Sequence, residues 1–184
     1  MTFGRTKKES APLEEPALYE YAVKALGRRM RTESELRRLM QAKVEPGETG
    51  AAKIAAVIAR LKEYGYLDDT SFAETYTRLR QENEKLGQRR VRQVLSQKGV
   101  ATGIVNEVVE ARYGQIDEET LARQHLERKR IRKPENEKET ARVMRRLISA
   151  GFSTGVIYKI LRQWNVPDET LAALDNLDES PETE

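Results

Sequence analysis

Residues 64–68 read Tyr-Gly-Tyr-Leu-Asp, and the stretch returns as Tyr-Gly-Gln-Ile-Asp at 113–117 and as Trp-Asn-Val-Pro-Asp at 164–168. The copies start 49 and 51 residues apart. Each has an aromatic residue suited to a last helical turn, then a glycine or asparagine that can adopt a left-handed backbone, then an aspartate that can cap a following helix. The stretch therefore predicts three junctions at which one helix ends and another begins.

A second marker, the pair Thr-Gly, recurs in the same phase at residues 49–50, 102–103 and 154–155. Its intervals are 53 and 52 residues, and each pair opens the predicted helix that ends in the aromatic stretch. Two independent markers in one phase predict an internal repeat of about 50 residues. A unit of that size buries little apolar surface alone, so we expect the units to pack against one another.

The segments between the markers favour helices throughout. They are rich in Leu, Ala, Arg, Lys, Glu and Gln, their apolar residues are spaced three and four apart, and all six prolines fall between them. We predict an all-α fold of three tandem three-helix repeats that form an elongated, curved molecule. The predicted helices are 17–29, 33–43, 50–64, 70–84, 87–98, 102–113, 118–132, 135–150 and 153–164. The predicted segments are a flexible 1–16, the repeats 17–67, 68–116 and 117–166, and an acidic flexible tail at 167–184.

The composition excludes several classes of function. The chain has no cysteine and one histidine, His125, which excludes disulfides and cysteine-ligated metals and leaves no set of histidines for a metal site. No run approaches the roughly 20 apolar residues of a membrane span, and residues 1–10 lack an apolar leader. We therefore expect a cytoplasmic, non-enzymatic protein without cofactor or metal.

Residues that suggest chemistry also have simpler structural interpretations. Asp68 and Asp69 precede a predicted helix, where carboxylates cap free backbone amides, and Thr32 with Glu35 has the spacing of a capping box. His125 lies beside an apolar stripe, so we predict a packing role for it. We also predict core positions for most aromatic residues: Tyr64, Phe72, Tyr76, Tyr113, Phe152, Tyr158 and Trp164.

Cations recur on the second helix of each predicted repeat, opposite the apolar residues. Val91, Val94 and Leu95 mark the buried side of the fifth helix, and Ile148 is expected on the buried side of the eighth. A single charge run is usually a solvated face, but the recurrence predicts a basic strip that follows a phosphate backbone or an acidic protein groove without reading bases. The candidate binding residues are Arg37, Arg38, Arg89, Arg90, Arg92, Lys98, Arg128, Lys129, Arg130, Arg132, Lys133, Arg142, Arg145 and Arg146.

The charges are also unevenly distributed along the chain. The net charge is +3, yet residues 167–184 carry seven acidic and no basic side chains, so the remainder is strongly basic. A basic body with an acidic tail favours a polyanionic partner for the body.

Four stretches resemble the RecX family of bacterial recombination regulators. They are 28–44 (RRMRTESELRRLMQAKV), 61–73 (LKEYGYLDDTSFA), 87–100 (GQRRVRQVLSQKGV) and 145–161 (RRLISAGFSTGVIYKIL). The most specific pieces are residues 66–73 and 95–100, and the resemblance extends over about 17–166. The chain departs from the pattern at 43–47, where the connection is longer, and in its acidic tail.

The resemblance implies a negative regulator that binds the RecA recombinase, chiefly as its filament on single-stranded DNA. Members of the family limit filament extension, ATP hydrolysis, strand exchange and co-protease activity, in DNA repair and the SOS response. They lie along the groove of the filament and bind DNA themselves. We therefore expect single-stranded and also double-stranded DNA as ligands, and we expect the protein to be a monomer. A general DNA-binding or architectural helical-repeat protein and a pure protein-interaction scaffold remain as alternatives.

Overall fold

The structure, a computed structural model, describes residues 11–167, 169 and 171, and it is helical without strands over that part of the chain. This confirms the all-α prediction. The predictions for residues 1–10, and for the acidic tail apart from Pro167, Glu169 and Leu171, concern residues outside the described part. The helices are α1 Glu15–Arg28, α2 Glu33–Gln41, α3 Glu48–Glu63, α4 Asp69–Glu84, α5 Gln88–Gln97, α6 Thr102–Tyr113, α7 Glu118–Arg128, α8 Glu137–Ser149 and α9 Thr154–Gln163.

The aromatic stretches end helices, as predicted. Gly65 after α3 and Asn165 after α9 adopt left-handed backbones, with φ of 70° and 56°. The amide after each donates back into the last turn, from Tyr66 to Leu61 O at 2.9 Å and from Val166 to Leu161 O at 3.1 Å. The second copy differs, because Gly114 has no positive φ and donates to the Glu110 carbonyl at 2.8 Å.

The aspartates of the first two copies cap the helices that follow them. Asp68 Oδ1 accepts from the Thr70 amide at 2.8 Å, and Asp117 Oδ2 accepts from the Thr120 amide at 2.8 Å. The pKa of Asp68 is lowered by hydrogen bonds from Ser71, and the pKa of Asp117 by those from Thr120. Asp168, the third copy, is outside the described residues.

Asp69 caps a different helix from its neighbour. Its Oδ1 accepts from the Glu33 amide in the first turn of α2 at 2.8 Å. Burial raises the pKa of this carboxyl. The same helix start has the predicted capping box, in which Thr32 accepts from the Glu35 amide and Glu35 accepts from that of Thr32. The first turn of α2 therefore has amides that donate both to Asp69, from outside the helix, and to the helix's own N-cap residue Thr32.

The described chain divides into two compact units. Unit 1 contains the residues up to Phe72 together with Lys98–Ala101, and unit 2 contains Ala73–Gln97 and the chain from Thr102 onward. The core of unit 1 is built from α1, α2 and α3, whose apolar faces bury Leu18, Leu36, Met40, Val57 and Leu61. The exact repeat boundaries remain predictions from the sequence. Among the described residues, no helix has the length and apolar content needed to cross a bilayer.

Within unit 1, the start of α2 packs against the turn at Lys98–Ala101. Thr32 Oγ1 donates to the Lys98 carbonyl at 2.6 Å. Gly99 has a φ of 79°, and a Cβ there would lie 2.4 Å from the Cβ of Ser34. The contact therefore requires glycine for both conformation and space.

Within unit 2, a similar contact joins the start of α5 to the turn after α8. The Gly87 amide donates to the Ala150 carbonyl at 2.8 Å. A Cβ on Gly87 would lie 2.2 Å from the carbonyl oxygen of Gly151, and a Cβ on Gly151 would lie 2.3 Å from the Arg90 amide nitrogen. The two backbones thus approach at a distance that only glycine permits, and we call this contact the Gly87–Gly151 junction.

His125 packs inside unit 2, as predicted. It is 5% exposed, its Nδ1 lies 3.0 Å from the Glu84 carbonyl, and its ring meets the ring of Phe152 edge-on at 5.7 Å. Burial lowers the pKa of this imidazole, and the cations Lys129 and Arg128 add to the effect. The side chain is therefore neutral near pH 7 and links α7 to the end of α4.

Three local predictions were wrong. Helix α7 ends at Arg128 and not at residue 132, because Arg130 takes a left-handed backbone with φ 53° and the Ile131 amide closes the turn onto Leu126 O at 2.9 Å. Ile148 is 36% exposed, since Val143 takes the buried position on α8. Tyr64 is 55% exposed, whereas Phe72, Tyr113 and Phe152 are buried as predicted.

We expect Gly87→Ala to destabilise the protein. The added Cβ meets backbone atoms of Gly151 and Phe152, which cannot rotate away, so the junction must open at a cost of about 1–3 kcal/mol in the free energy of unfolding. Urea denaturation followed by circular dichroism measures the change. Gly103→Ala is the control, because its Cβ enters open space on α6 and helix propensity predicts equal or slightly higher stability. Equal stability of the two variants would contradict the importance of the junction.

Candidate polyanion-binding surface

Three of the predicted binding cations are engaged by carboxylates of the chain itself. Arg37 binds Glu33 at 2.7 Å, and Lys98 binds Glu35 at 2.6 Å. Arg92 donates to Asn106 at 2.7 Å and lies 3.6 Å from Glu110. Acidic side chains of the chain therefore already neutralise part of their charge. This makes the three residues weaker candidates for binding a ligand.

Lys98 has a structural role in unit 1. Its side chain is 26% exposed, that of its partner Glu35 is 17% exposed, and its Nζ lies 5.6 Å from the centroid of the Phe72 ring. Its carbonyl accepts the Thr32 hydroxyl. Both ends of this residue thus hold the turn at Lys98–Ala101 against α2.

The other predicted cations are exposed and form no ion pair with any residue of the described chain. Arg90 donates to the neutral amide of Gln93 at 2.8 Å, which leaves its charge uncompensated. With the exception of Arg38 they all belong to unit 2. These cations are Arg38, Arg89, Arg90, Arg128, Lys129, Arg130, Arg132, Lys133, Arg142, Arg145 and Arg146.

The Gly87–Gly151 junction places two of these arginines at the end of α8. Arg89 and Arg90 line an open depression of about 550 Å³ together with Gln93, Ile148, Ser149 and Gly151. The depression combines two cations with a half-exposed apolar side chain and a hydroxyl. The first turn of α5 adds the positive end of a helix dipole. Such a depression suits a phosphate or a carboxylate that is carried by a larger partner.

A second group of cations follows α7. Arg128, Lys129, Arg130, Arg132 and Lys133 occupy five of six consecutive positions, and we call them the cation cluster. Because α7 ends at Arg128, most of the cluster lies in the connection to α8 and not on a helix face. The connection is fixed by the left-handed Arg130, the buried Pro134 and the Asn136 side chain, whose Oδ1 accepts from the Glu139 amide at 3.0 Å.

The uncompensated cations have an electrostatic consequence. Like charges without counter-charges repel one another, so they weaken the fold slightly and are relieved when a polyanion binds. No group of three histidine or acidic side chains within the described residues is arranged to hold a metal ion. The uncompensated cations suit reversible, salt-sensitive binding.

The sequence analysis did not predict which of the cations form ion pairs within the chain and which do not. The spacing of Glu33 and Arg37, four residues apart on one helix, was an available signal for the first pair. The Lys98 pair joins residues 63 positions apart, so no local pattern reveals it. Sequence analysis also missed the exposed Tyr64, whose ring centroid lies 5.6 Å from the Arg60 guanidinium.

The fold and the surface define a class of protein, a helical-repeat protein whose uncompensated predicted cations are concentrated in one unit of the described chain. Comparison with known proteins narrows this class. The family model for the second three-helix domain of RecX matches residues 68–109. The regulatory protein RecX of Cronobacter sakazakii is 34% identical over 155 residues, which cover 80% of this chain and 92% of that protein. The chain belongs to the RecX family of regulatory proteins.

Two further relatives support the family and the fold. The regulatory protein RecX of Oceanobacillus iheyensis is 28% identical over 155 residues, which are 83% of this chain but 55% of that protein, so the chain spans about half of its length. The crystal structure of RecX from Lactobacillus salivarius superposes with a TM-score of 0.61 at 20% identity, covering 82% of this chain and 96% of that one. This similarity shows a shared fold.

We expect Lys98→Gln to lower the free energy of unfolding by about 1–2 kcal/mol, because it leaves the half-buried Glu35 without its cation. Arg38→Gln removes the same charge from an exposed position without an ion pair, and we expect a change within about 0.5 kcal/mol. Urea denaturation at equal ionic strength compares the two variants. If Arg38→Gln lowered the free energy of unfolding as much as Lys98→Gln does, the presence of an ion pair would not distinguish cations that stabilise the fold from cations that are free to bind a ligand.

Proposed function

We propose that the chain binds the filament that the RecA recombinase forms on single-stranded DNA and acts as its negative regulator. Bound to the filament, it limits extension, ATP hydrolysis, strand exchange and co-protease activity in DNA repair and the SOS response. Membership of the RecX family supports the partner. The observation that carries the proposal is the concentration of exposed, uncompensated arginines and lysines in unit 2.

The binding energy comes from contacts between these cations and phosphates or acidic side chains of the filament. Each cation that neutralises a phosphate releases condensed counterions, so affinity falls steeply as salt rises. The exposed Ile148 beside Arg89 and Arg90 favours a partner with a protein component, because naked DNA offers little to an apolar side chain. The chain binds as a monomer and obstructs the addition of a protomer or a step of the ATP cycle.

A second candidate is a general DNA-binding or architectural protein. The cation cluster supports it, because five exposed cations within six consecutive positions can bind any phosphate backbone without a protein partner. Affinity separates the two candidates. A filament regulator binds the recombinase–DNA complex more tightly than the same DNA alone, whereas an architectural protein binds both equally.

The test is the double variant Arg89→Gln/Arg90→Gln. We expect its affinity for the filament to fall about tenfold or more, and the slope of log affinity against log salt to decrease by up to about two, since two phosphate-equivalent contacts are lost. Fluorescence anisotropy of labelled filaments over a salt series measures both quantities.

Arg28→Gln/Arg29→Gln is the matched control. It removes two exposed cations without ion pairs in the described chain from the end of α1, which is outside the proposed surface, and changes the net charge equally. Circular dichroism checks that both variants keep their helix content. Equal weakening of the two variants would reduce the effect to net charge and overturn the proposed surface.

A further inference from the structure

The described chain runs into its acidic segment beside the cation cluster. Lys133 and Pro134 line a depression of about 250 Å³ together with Trp164 and Pro167, the last continuously described residue. Leu171 is 3% exposed, and its amide donates to the Pro167 carbonyl at 3.2 Å. Pro167, which directly precedes the acidic residues, therefore lies beside Lys133 at one end of the cluster.

The two segments are complementary in charge. Residues 168–184 carry seven acidic and no basic side chains, and the cluster carries five cations. No described residue forms an ion pair with any of those five. Glu135 and Glu137, which line the same depression as Lys133, offset only part of the positive charge.

Tethering strengthens an attraction that would be weak between separate molecules. Residues 172–184 follow the buried Leu171 and span at most about 40 Å when extended, more than enough to pass along a six-residue run of chain. A short tether sets an effective concentration in the millimolar range. Several weak ion pairs formed at that concentration compete with a ligand in solution.

We propose that the acidic segment 168–184 binds the cation cluster and competes with the polyanion for it. The segment thereby sets the affinity of the basic surface for phosphates. A dense polyanion, such as DNA in a filament, displaces the segment more readily than scattered anions do. This inference rests on the proposed function, because it assigns an internal competitor to the same surface.

The test variant keeps the full length of the chain and carries Asp175→Asn, Asp178→Asn, Glu179→Gln, Glu182→Gln and Glu184→Gln. The probe is a fluorescent oligo-dT strand, and the readout is its anisotropy at low and high salt. We expect about three- to tenfold tighter binding at low salt and no difference at high salt, where the attraction is screened. A full-length chain with residues 172–184 scrambled keeps all charges and should bind as the wild type does.

A second variant locates the effect. When Lys129, Arg130 and Arg132 are also replaced by Gln, neutralising the segment should no longer tighten binding, because the segment has lost its partner. An equal gain in this background would overturn the proposal, since the segment would then act only through net charge. A tighter-binding scrambled chain would overturn it as well, because it would assign the effect to the order of the residues.

The outcomes also separate this inference from the proposed function. If neutralising the cluster weakens oligo-dT binding while neutralising the segment changes nothing, the basic surface stands and the internal competitor is refuted. If neither change alters binding, the cluster does not contact DNA and the internal competitor is refuted, whereas the proposed function is decided separately by the filament affinity of the Arg89→Gln/Arg90→Gln variant.

Discussion

The close backbone contact between Gly87 and Gly151 is the constraint that positions Arg89 and Arg90 in the basic surface of unit 2. Two backbones approach there at a distance that excludes any Cβ, and one hydrogen bond from the Gly87 amide fixes their register. The contact sets the start of α5 against the turn after α8, so that Arg89 and Arg90 line one depression with Ile148 and Ser149. In unit 1, Gly99 meets the first turn of α2 in a similar way, which indicates that the contact belongs to the repeat.

The pattern of ion pairs shows how a repeated architecture is adapted at individual positions. In unit 1, Glu33 and Glu35 bind Arg37 and Lys98, and these cations stabilise the start of α2. Hydrogen bonds from Lys62 and Arg37 lower the pKa of Glu33, so this network stays ionised near pH 7. In unit 2, the cations at the start of α5 and after α7 have no such partners. Uncompensated charge lowers the stability of the fold slightly. The proposed binding role gives a reason for these cations to be present in spite of that cost.

Local features of the fold were predictable from the sequence, and long-range features were not. The capping box of α2 and the caps of Asp68 and Asp117 involve residues within three positions of one another, so spacing alone reveals them. The end of α7 was missed because Arg130 adopts a left-handed backbone that arginine rarely takes. Tyr64 and Tyr113 occupy equivalent repeat positions, yet one is exposed and the other donates to the Leu86 carbonyl. Only tertiary neighbours decide between those outcomes.

The most direct measurement of the central claim is the rate of ATP hydrolysis by the RecA recombinase on single-stranded DNA, titrated with this protein. We expect saturable inhibition that weakens as salt is raised and that requires the uncompensated cations of unit 2. A chain that leaves the hydrolysis rate unchanged at concentrations where it coats the DNA would contradict the account, because it would bind the polymer without regulating it.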